Sequence, residues 1–203
     1  MRRTTDPIDL EDPLDRVVAA WPHSGRPADL VRELKYGRAT SVITELAEAM
    51  ADLAPTADAV TWIPASPSRR RRRGFDQGEL LARAIARRRR LPIKRLLRRT
   101  DDIAQTARPL EGRLLGPEFA PVGRRLRFKP TLLLVDDVYT TGSTLRSAAR
   151  VLSERGAESV HGLVATRAAI HARPAESRLG VYDLATTEDP GGQEWTSPSA
   201  HGT

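Results

Sequence analysis

The stretch Thr131–Thr144, "TLLLVDDVYTTGST", constrains this chain more than any other. An uninterrupted apolar run, Leu132–Val135, ends on two adjacent carboxylates, and four hydroxyl residues and a glycine fill positions 140–144. A short run with no polar face reads as a strand buried on both sides, as a central parallel strand must be. Parallel strands need crossover connections, which predicts an α/β sheet flanked by helices. In such sheets ligands bind beyond the carboxyl ends of the strands. Asp136 and Asp137 stand at that end, where two neighbouring like charges are costly unless a ligand compensates them.

The hydroxyl-rich turn then enters a helix. Leu145, Ala148, Ala149 and Leu152 fall on one face, Gly156 stops the helix, and "ESVHGLVATR" begins another strand. Strand, turn, helix and strand within about thirty residues form a βαβ unit. A helix N-terminus offers unpaired N–H groups and a partial positive charge, which suits phosphate. Gly142 lets the backbone approach closely, and Thr140, Thr141, Ser143 and Thr144 add hydroxyls. Carboxylates beside a phosphate would repel it unless they bind another part of the same molecule. Sugar hydroxyls, or Mg²⁺ held by them, meet that condition. The implied ligand is a sugar phosphate with free vicinal hydroxyls. An ordinary strand with Ser143 or Thr144 capping a helix would explain one hydroxyl and neither carboxylate. GxxxxGK[ST] is absent, as is a GxGxxG after a strand, which speaks against a P-loop nucleotidase and a dinucleotide fold.

Other elements are legible by spacing. Residues 1–25 are polar, carry Pro7, Pro13 and Pro22, and read as a loose lead-in, bounded here at 1–27. A short helix is expected around Asp29–Lys35, ending near Gly37. Val42, Ile43, Leu46, Ala47, Met50 and Leu53 share one face of a second helix. "AVTWIP" reads as a buried strand cut off by Pro64 and Pro67, and Phe75 to about Arg90 as a helix bearing Leu81, Ala84 and Ile85. "IKRLLRR" is a candidate short strand. Thr100–Pro130, with Gly112, Gly116, Pro117, Pro121 and Gly123, is expected to be a long loop. The domain is drawn at 28–167, and the polar stretch 168–203 as a disordered tail.

A chain of 203 residues fits one domain. Without cysteine it has no disulfide, thiolate zinc site or cysteine nucleophile. No apolar leader opens it, and no run approaches the ~18 apolar residues of a membrane span, so the cytoplasm is the expected location. The net charge of +7 is uneven: Arg69–Arg99 holds fourteen basic residues against Asp76 and Glu79. The rest of the chain is therefore mildly acidic.

"LLLVDDVYTTGST" resembles the phosphoribosyl pyrophosphate (PRPP) signature of type I phosphoribosyltransferases. "LKYGR" (34–38), "IPASPSRRRRRGFDQGELLARAIA" (63–86) and "AQTARPLEGRLLGPEF" (104–119) precede it. Together they resemble the ComF family, phosphoribosyltransferase-like proteins associated with natural competence and DNA uptake. The resemblance implies an α/β type I phosphoribosyltransferase-like fold that binds Mg²⁺–PRPP and transfers its phosphoribosyl group to an unknown acceptor, releasing pyrophosphate. It assigns Asp136 and Asp137 to the ribose 2′ and 3′ hydroxyls as the catalytic pair. The 5′-phosphate falls to Thr140, Thr141, Gly142, Ser143 and Thr144. Pyrophosphate falls to the loop holding Ala65 and Ser66, with Arg73 before Gly74. Lys35, Tyr36 and Gln77 are neighbouring candidates, and Gln105 and Arg113 belong to a flap over the ligand. Asp137 is the candidate general base. The family's cysteine-rich zinc ribbon is absent. Asp76 replaces its usual Asn, Gly116 sits where Asn is common, and Ala65 and Ser66 replace Val and Pro.

The physical reading of these pieces leaves alternatives open. Arginine forks match pyrophosphate oxygens, but Arg69–Arg73 can equally be a solvated, mobile loop. Arg87–Arg90 end a helix, where cations suit the dipole. Lys35 and Tyr36 either reach the ligand or simply finish a helix. His23, His161, His171 and His201 fall in no motif. Two other functions stay open: a non-catalytic PRPP sensor acting through partners, and handling of single-stranded DNA within the uptake machinery. For the latter only Phe75 offers a stacking surface among the 69–99 arginines. A homodimer also stays open.

Overall fold

The computed structural model of the protein describes residues 13–36, 40–100 and 117–168. Its centre is a four-stranded sheet in the order β1-β6-β5-β2, every pair parallel. The strands are β1 (Arg16–Pro22), β2 (Ala59–Trp62), β5 (Thr131–Tyr139) and β6 (Ser159–Arg167). A second sheet pairs β3 (Leu97–Arg99) with β4 (Phe119–Pro121) antiparallel. Five helices accompany them among the described residues: α1 (Gly25–Tyr36), α2 (Thr40–Leu53), α3 (Pro67–Arg73), α4 (Gln77–Arg89) and α5 (Ser143–Glu154).

The apolar run at 132–135 makes β5 the interior strand, flanked by β2 and β6. Its pleat divides the core in two, because successive side chains leave opposite faces of a strand. Leu133 and Val135 pack with Leu30 and Leu34 of α1, Leu46 and Met50 of α2, and Leu81 and Ile85 of α4. Leu132 and Leu134 pack on the other side with Leu145, Ala148 and Leu152 of α5, and with Leu97 of β3. Helices on both faces are what a parallel sheet requires. In β6, Gly162 lets α5 and β1 close in: a Cβ there would lie 3.1 Å from Val17 Cγ2 and 3.3 Å from Leu145 Cδ1.

Three expectations are corrected. The lead-in is not loose throughout, since Arg16–Pro22 forms β1 and pairs with β6 from Arg16↔His161 to Pro22↔Arg167. "VVAA" is a short buried run, and flanking prolines and charges hid it. The arginine run is not an open loop but helix α3. Ser66 caps it by accepting from the Arg69 N–H, Pro67 opens it, and Gly74 closes it in a left-handed conformation with φ 75°. Proline at the first position and glycine past the last are favoured at those ends. Finally, the stretch expected as a continuous loop contains β4, which pairs with β3 through Leu97↔Pro121 and Arg99↔Phe119. The expected tail beyond 168 lies outside the described residues.

Candidate functional site

All four strands of the main sheet run the same way, so their carboxyl ends share one edge. A cavity of about 370 Å³ opens there. Its floor is Asp136, Asp137 and Val138 at the end of β5, with Thr144 from the first turn of α5. Lys35 enters from α1, and Ile63, Pro64 and Ala65 come from the turn after β2. Arg69, Arg72 and Arg73 of α3, Gln77 and Gly78 of α4, and Arg99 of β3 complete the wall.

The carboxylates are adjacent, so the pleat sends them to opposite sides of the strand. Asp137 shares the face of Leu133 and Val135, and its Oδ2 lies 3.3 Å from Lys35 Nζ. It is 8% exposed. Its N–H donates to Asp136 Oδ1 at 2.8 Å. Burial holds the Asp136 carboxyl well above the ordinary carboxylate range, and the Asp137 charge pushes it further the same way. The Asp137 N–H, Lys35 and Arg99 act against that rise.

The opposite wall is cationic and incompletely paired. The Nε and Nη1 atoms of Arg73 are buried and make no hydrogen bond, and neither does Gln77 Oε1. Asp137 Oδ2 also accepts no hydrogen bond, leaving Lys35 as its ion-pair partner. Burial lowers the Arg73 pKa, Arg69 and Arg72 add to this, and Asp137 opposes it. Buried polar groups without partners are costly and uncommon. Here they surround a space large enough for an anion carrying several oxygens.

The turn after β5 is tightly folded. Gly142 has φ 78°, and a Cβ there would lie 2.6 Å from both Arg146 Nη1 and the Tyr139 hydroxyl. Arg146 Nη1 donates to the Thr141 carbonyl at 2.9 Å, and Thr141 Oγ1 lies 3.0 Å from Ser143 Oγ. Gly142 caps α5 without a side chain of its own.

The structure thus gathers Lys35, Ala65, Arg73, Gln77, Asp136, Asp137 and Thr144 around one cavity. Thr140, Thr141 and Ser143 are exposed in the adjoining turn, with Gly142 buried between them. Ser66 is spent on capping α3. The Ala65 N–H donates to Asp76 Oδ2 at 2.9 Å, so that amide faces the protein rather than the cavity. Tyr36 is separated from its neighbour Lys35: it is 79% exposed and lines a different depression with Arg26, Asp29, Arg32 and Glu33. The helical twist turns consecutive residues about 100° apart, and here it carries Tyr36 away from the cavity that Lys35 lines. Gln105 and Arg113, and the flap they were assigned to, lie outside the described residues.

Several neighbours carry no motif. Arg99 sits 5.8 Å from the Phe119 ring centroid, and sequence spacing cannot bring β3 to the cavity. His23 donates to or accepts from Thr166 Oγ1 through Nδ1 at 2.7 Å. Burial lowers its pKa and Lys35 lowers it further, while Asp137 raises it, so it stands within the field of the site. The role of Asp76 did have a signal: Asp three residues before Glu79 is the pattern of a helix N-cap.

Among the described residues no cluster of three or more His, Cys, Asp or Glu could hold a metal alone. Two carboxylates at the strand end suit a hard cation that keeps most of its ligands as water and substrate oxygens, the manner in which Mg²⁺ binds. Among the described residues no helix is long and apolar enough to cross a membrane.

Residues 127–195 match the phosphoribosyl transferase domain family. The chain is 36% identical over 94 residues to the competence protein ComFC of Bacillus subtilis (strain 168), covering 46% of this chain and 38% of that protein. It is 35% identical over 100 residues to the competence protein ComFC of Streptococcus pneumoniae (strain ATCC BAA-255 / R6), covering 48% of this chain and 43% of that one. The matches thus span less than half the length of each relative. Among solved structures, the allosteric regulatory enzyme of purine biosynthesis aligns with TM-score 0.48 and 20% identity, over 74% of this chain and 30% of that one. The parallel sheet, the helices on both faces and the matched domain agree with the expected type I phosphoribosyltransferase-like α/β fold.

Proposed function

We propose, on the premise that this chain is a phosphoribosyltransferase-like relative of the ComFC competence proteins, that its cavity binds Mg²⁺–PRPP and supports phosphoribosyl transfer. In this reading pyrophosphate leaves and an acceptor arrives, in a cell engaged in DNA uptake. One observation carries it. A carboxylate pair at the end of β5 shares a cavity of about 370 Å³ with the half-buried Arg73, whose Nε and Nη1 make no hydrogen bond. A ligand with vicinal hydroxyls at one end and a polyanion at the other satisfies both sides.

The division of labour follows from the chemistry. Asp136 and Asp137 accept from the ribose hydroxyls, and ligand binding displaces Lys35 from Asp137 or draws it toward a phosphate. The turn at 140–144 and the amino end of α5 hold the 5′-phosphate. Arg73, with Arg69 and Arg72, neutralises the departing pyrophosphate, where planar forks match phosphate oxygens. Bound Mg²⁺ would add positive charge at the pyrophosphate and ribose oxygens. The transfer needs no covalent protein nucleophile, so positioning and charge stabilisation carry the rate. Asp137 is the candidate base for the acceptor.

Calorimetric titration of PRPP with and without Mg²⁺, on wild type and Asp136→Asn/Asp137→Asn, tests this reading. Mg²⁺-dependent binding that disappears in the double variant supports it. Absence of binding by a folded wild type overturns it. Pyrophosphate release in the presence of candidate acceptors then separates a transferase from a PRPP sensor.

A second reading rests on Phe128. It is 98% exposed with φ 64°, in a turn shared with Arg124, Arg125, Arg127 and Lys129. An exposed aromatic among arginines is a more open stacking surface than the half-buried Phe75 of the 69–99 segment, and it suits single-stranded nucleic acid. Oligonucleotide binding that weakens steeply with salt and with Phe128→Ala supports this reading.

A further inference from the structure

The turn after β2 is braced by a carboxylate that the proposed chemistry does not use. Asp76 is 7% exposed. Its Oδ2 accepts from the Ala65 N–H at 2.9 Å, and its Oδ1 from the Glu79 N–H at 3.2 Å. The Trp62 side chain donates to it as well. Burial raises the Asp76 pKa, and these donors oppose the rise. All three partners are donors, so the site asks for a group that accepts on every side, which only an ionised carboxylate does.

A second contact brings α4 against the same turn. A Cβ on Gly78 would lie 2.8 Å from the Ile63 carbonyl oxygen and 3.4 Å from Asp76 Oδ1. Ile63, Pro64, Ala65 and Gly78 all line the cavity. Asp76 therefore ties the turn to α4 through Ala65, while Gly78 sets how closely the two approach. The next residue, Ser66, caps α3, so the position of the turn is handed on to Arg69 and Arg73.

We propose that Asp76, assisted by Gly78, is the positioning residue for the polyanion side of the cavity, fixing the 63–66 turn and through it the α3 arginines. The inference rests on the PRPP reading and deepens it. Because the Ala65 amide is committed to Asp76, the anion is held by the guanidinium groups of α3 rather than by that amide. The ribose-phosphate side is built from β5 and α5, and Asp76's hydrogen-bond partners Ala65, Glu79 and Trp62 belong to neither element.

The test compares three ligands on wild type, Asp76→Asn and Gly78→Ala by calorimetry: PRPP, inorganic pyrophosphate and ribose 5-phosphate. Asparagine keeps the shape but turns one oxygen into an amide NH₂ that must face a donor. Affinity for PRPP and pyrophosphate is expected to fall about tenfold or more, with ribose 5-phosphate within about twofold of wild type. Gly78→Ala should give the same selective loss, and it reads the same turn if Asp76→Asn fails to fold. Equal losses for all three ligands would mean a merely structural role and overturn the proposal. A wild type that binds PRPP, with both variants indistinguishable from it, sinks the bracket alone. A wild type that binds none of the three sinks the PRPP reading and the bracket with it.

Discussion

Lys35 Nζ lies 3.3 Å from Asp137 Oδ2, joining α1 to the carboxyl end of β5 across residues a hundred positions apart. The pair is largely shielded, with side-chain exposures of 29% and 12%. Removing one partner leaves the other charge poorly solvated, which costs more than the pair contributes as a pair. Lys35→Met should therefore destabilise the ligand-free protein by about 1–2 kcal/mol, a figure discounted for the remaining exposure of the lysine. Lys35→Met/Asp137→Asn should recover most of that loss. Urea unfolding midpoints of the two single variants and the double variant measure the coupling, and additive losses would disprove it.

Asp136 should behave in the opposite way, as a group that costs stability for the sake of binding. Its folded-state pKa is raised, chiefly by burial and then by Asp137. A raised carboxyl binds more protons folded than unfolded. Its contribution is complete below the ordinary value of 3.8 and is lost as pH rises through the raised value. At neutral pH the ionised form is a net penalty. Asp136→Asn is expected to raise the melting temperature at pH 7, where ~1 kcal/mol corresponds to about 2–4 °C in a chain of this size. It should also flatten the decline of stability with rising pH above 3.8, and abolish PRPP binding. Thermal melts across pH check all but the last, and calorimetry checks that.

Arg73 carries two buried, unpartnered nitrogens, so truncation should hardly affect folding but should strip the ligand of its mate. Charge-assisted bonds contribute about 1.5–3 kcal/mol, so Arg73→Ala should weaken PRPP roughly 10- to 100-fold. Arg73→Lys should restore charge without the fork and recover only part of the affinity. The same two variants measured with ribose 5-phosphate should show little change.

Gly142→Ala combines two penalties. The φ of 78° disfavours any side chain by about 1–2 kcal/mol, and the new Cβ meets Arg146 Nη1 and the Tyr139 hydroxyl at 2.6 Å. The turn must open, so both thermal stability and affinity for ribose 5-phosphate should drop together. Unchanged ribose 5-phosphate binding would show that the turn does not hold the phosphate.

Local pattern made much of this fold readable. The apolar run at 132–135 announced an interior parallel strand because no polar residue interrupts it. The 3.6-residue spacing in α2 and α5 announced their buried faces. The carboxylate pair and the hydroxyl turn could be read together as one candidate device because they are contiguous in the chain. β1 was obscured since a five-residue apolar run between charges and prolines has no period of its own; its identity as a strand depends on pairing with β6. For the arginine run a solvated loop was left open beside a pyrophosphate contact, although its helix caps, Ser66 with Pro67 and Gly74, were in plain view.

What the sequence determined by itself was everything set by neighbours along the chain: strand, turn and helix at 131–154, the carboxylate pair, and the basic character of 69–99. Tertiary structure decided which distant groups share the cavity. Contact between Lys35 and Asp137, the two Arg73 nitrogens left without a hydrogen bond, the arrival of Arg99 from β3, and the bracing of Ala65 by Asp76 are all such cases. Each joins separate elements, and those meetings are set by how the helices pack on the two faces of the sheet. Tyr36 makes the same point in reverse. It stands next to Lys35 in the chain, yet one step around the helix carries it from the cavity to solvent.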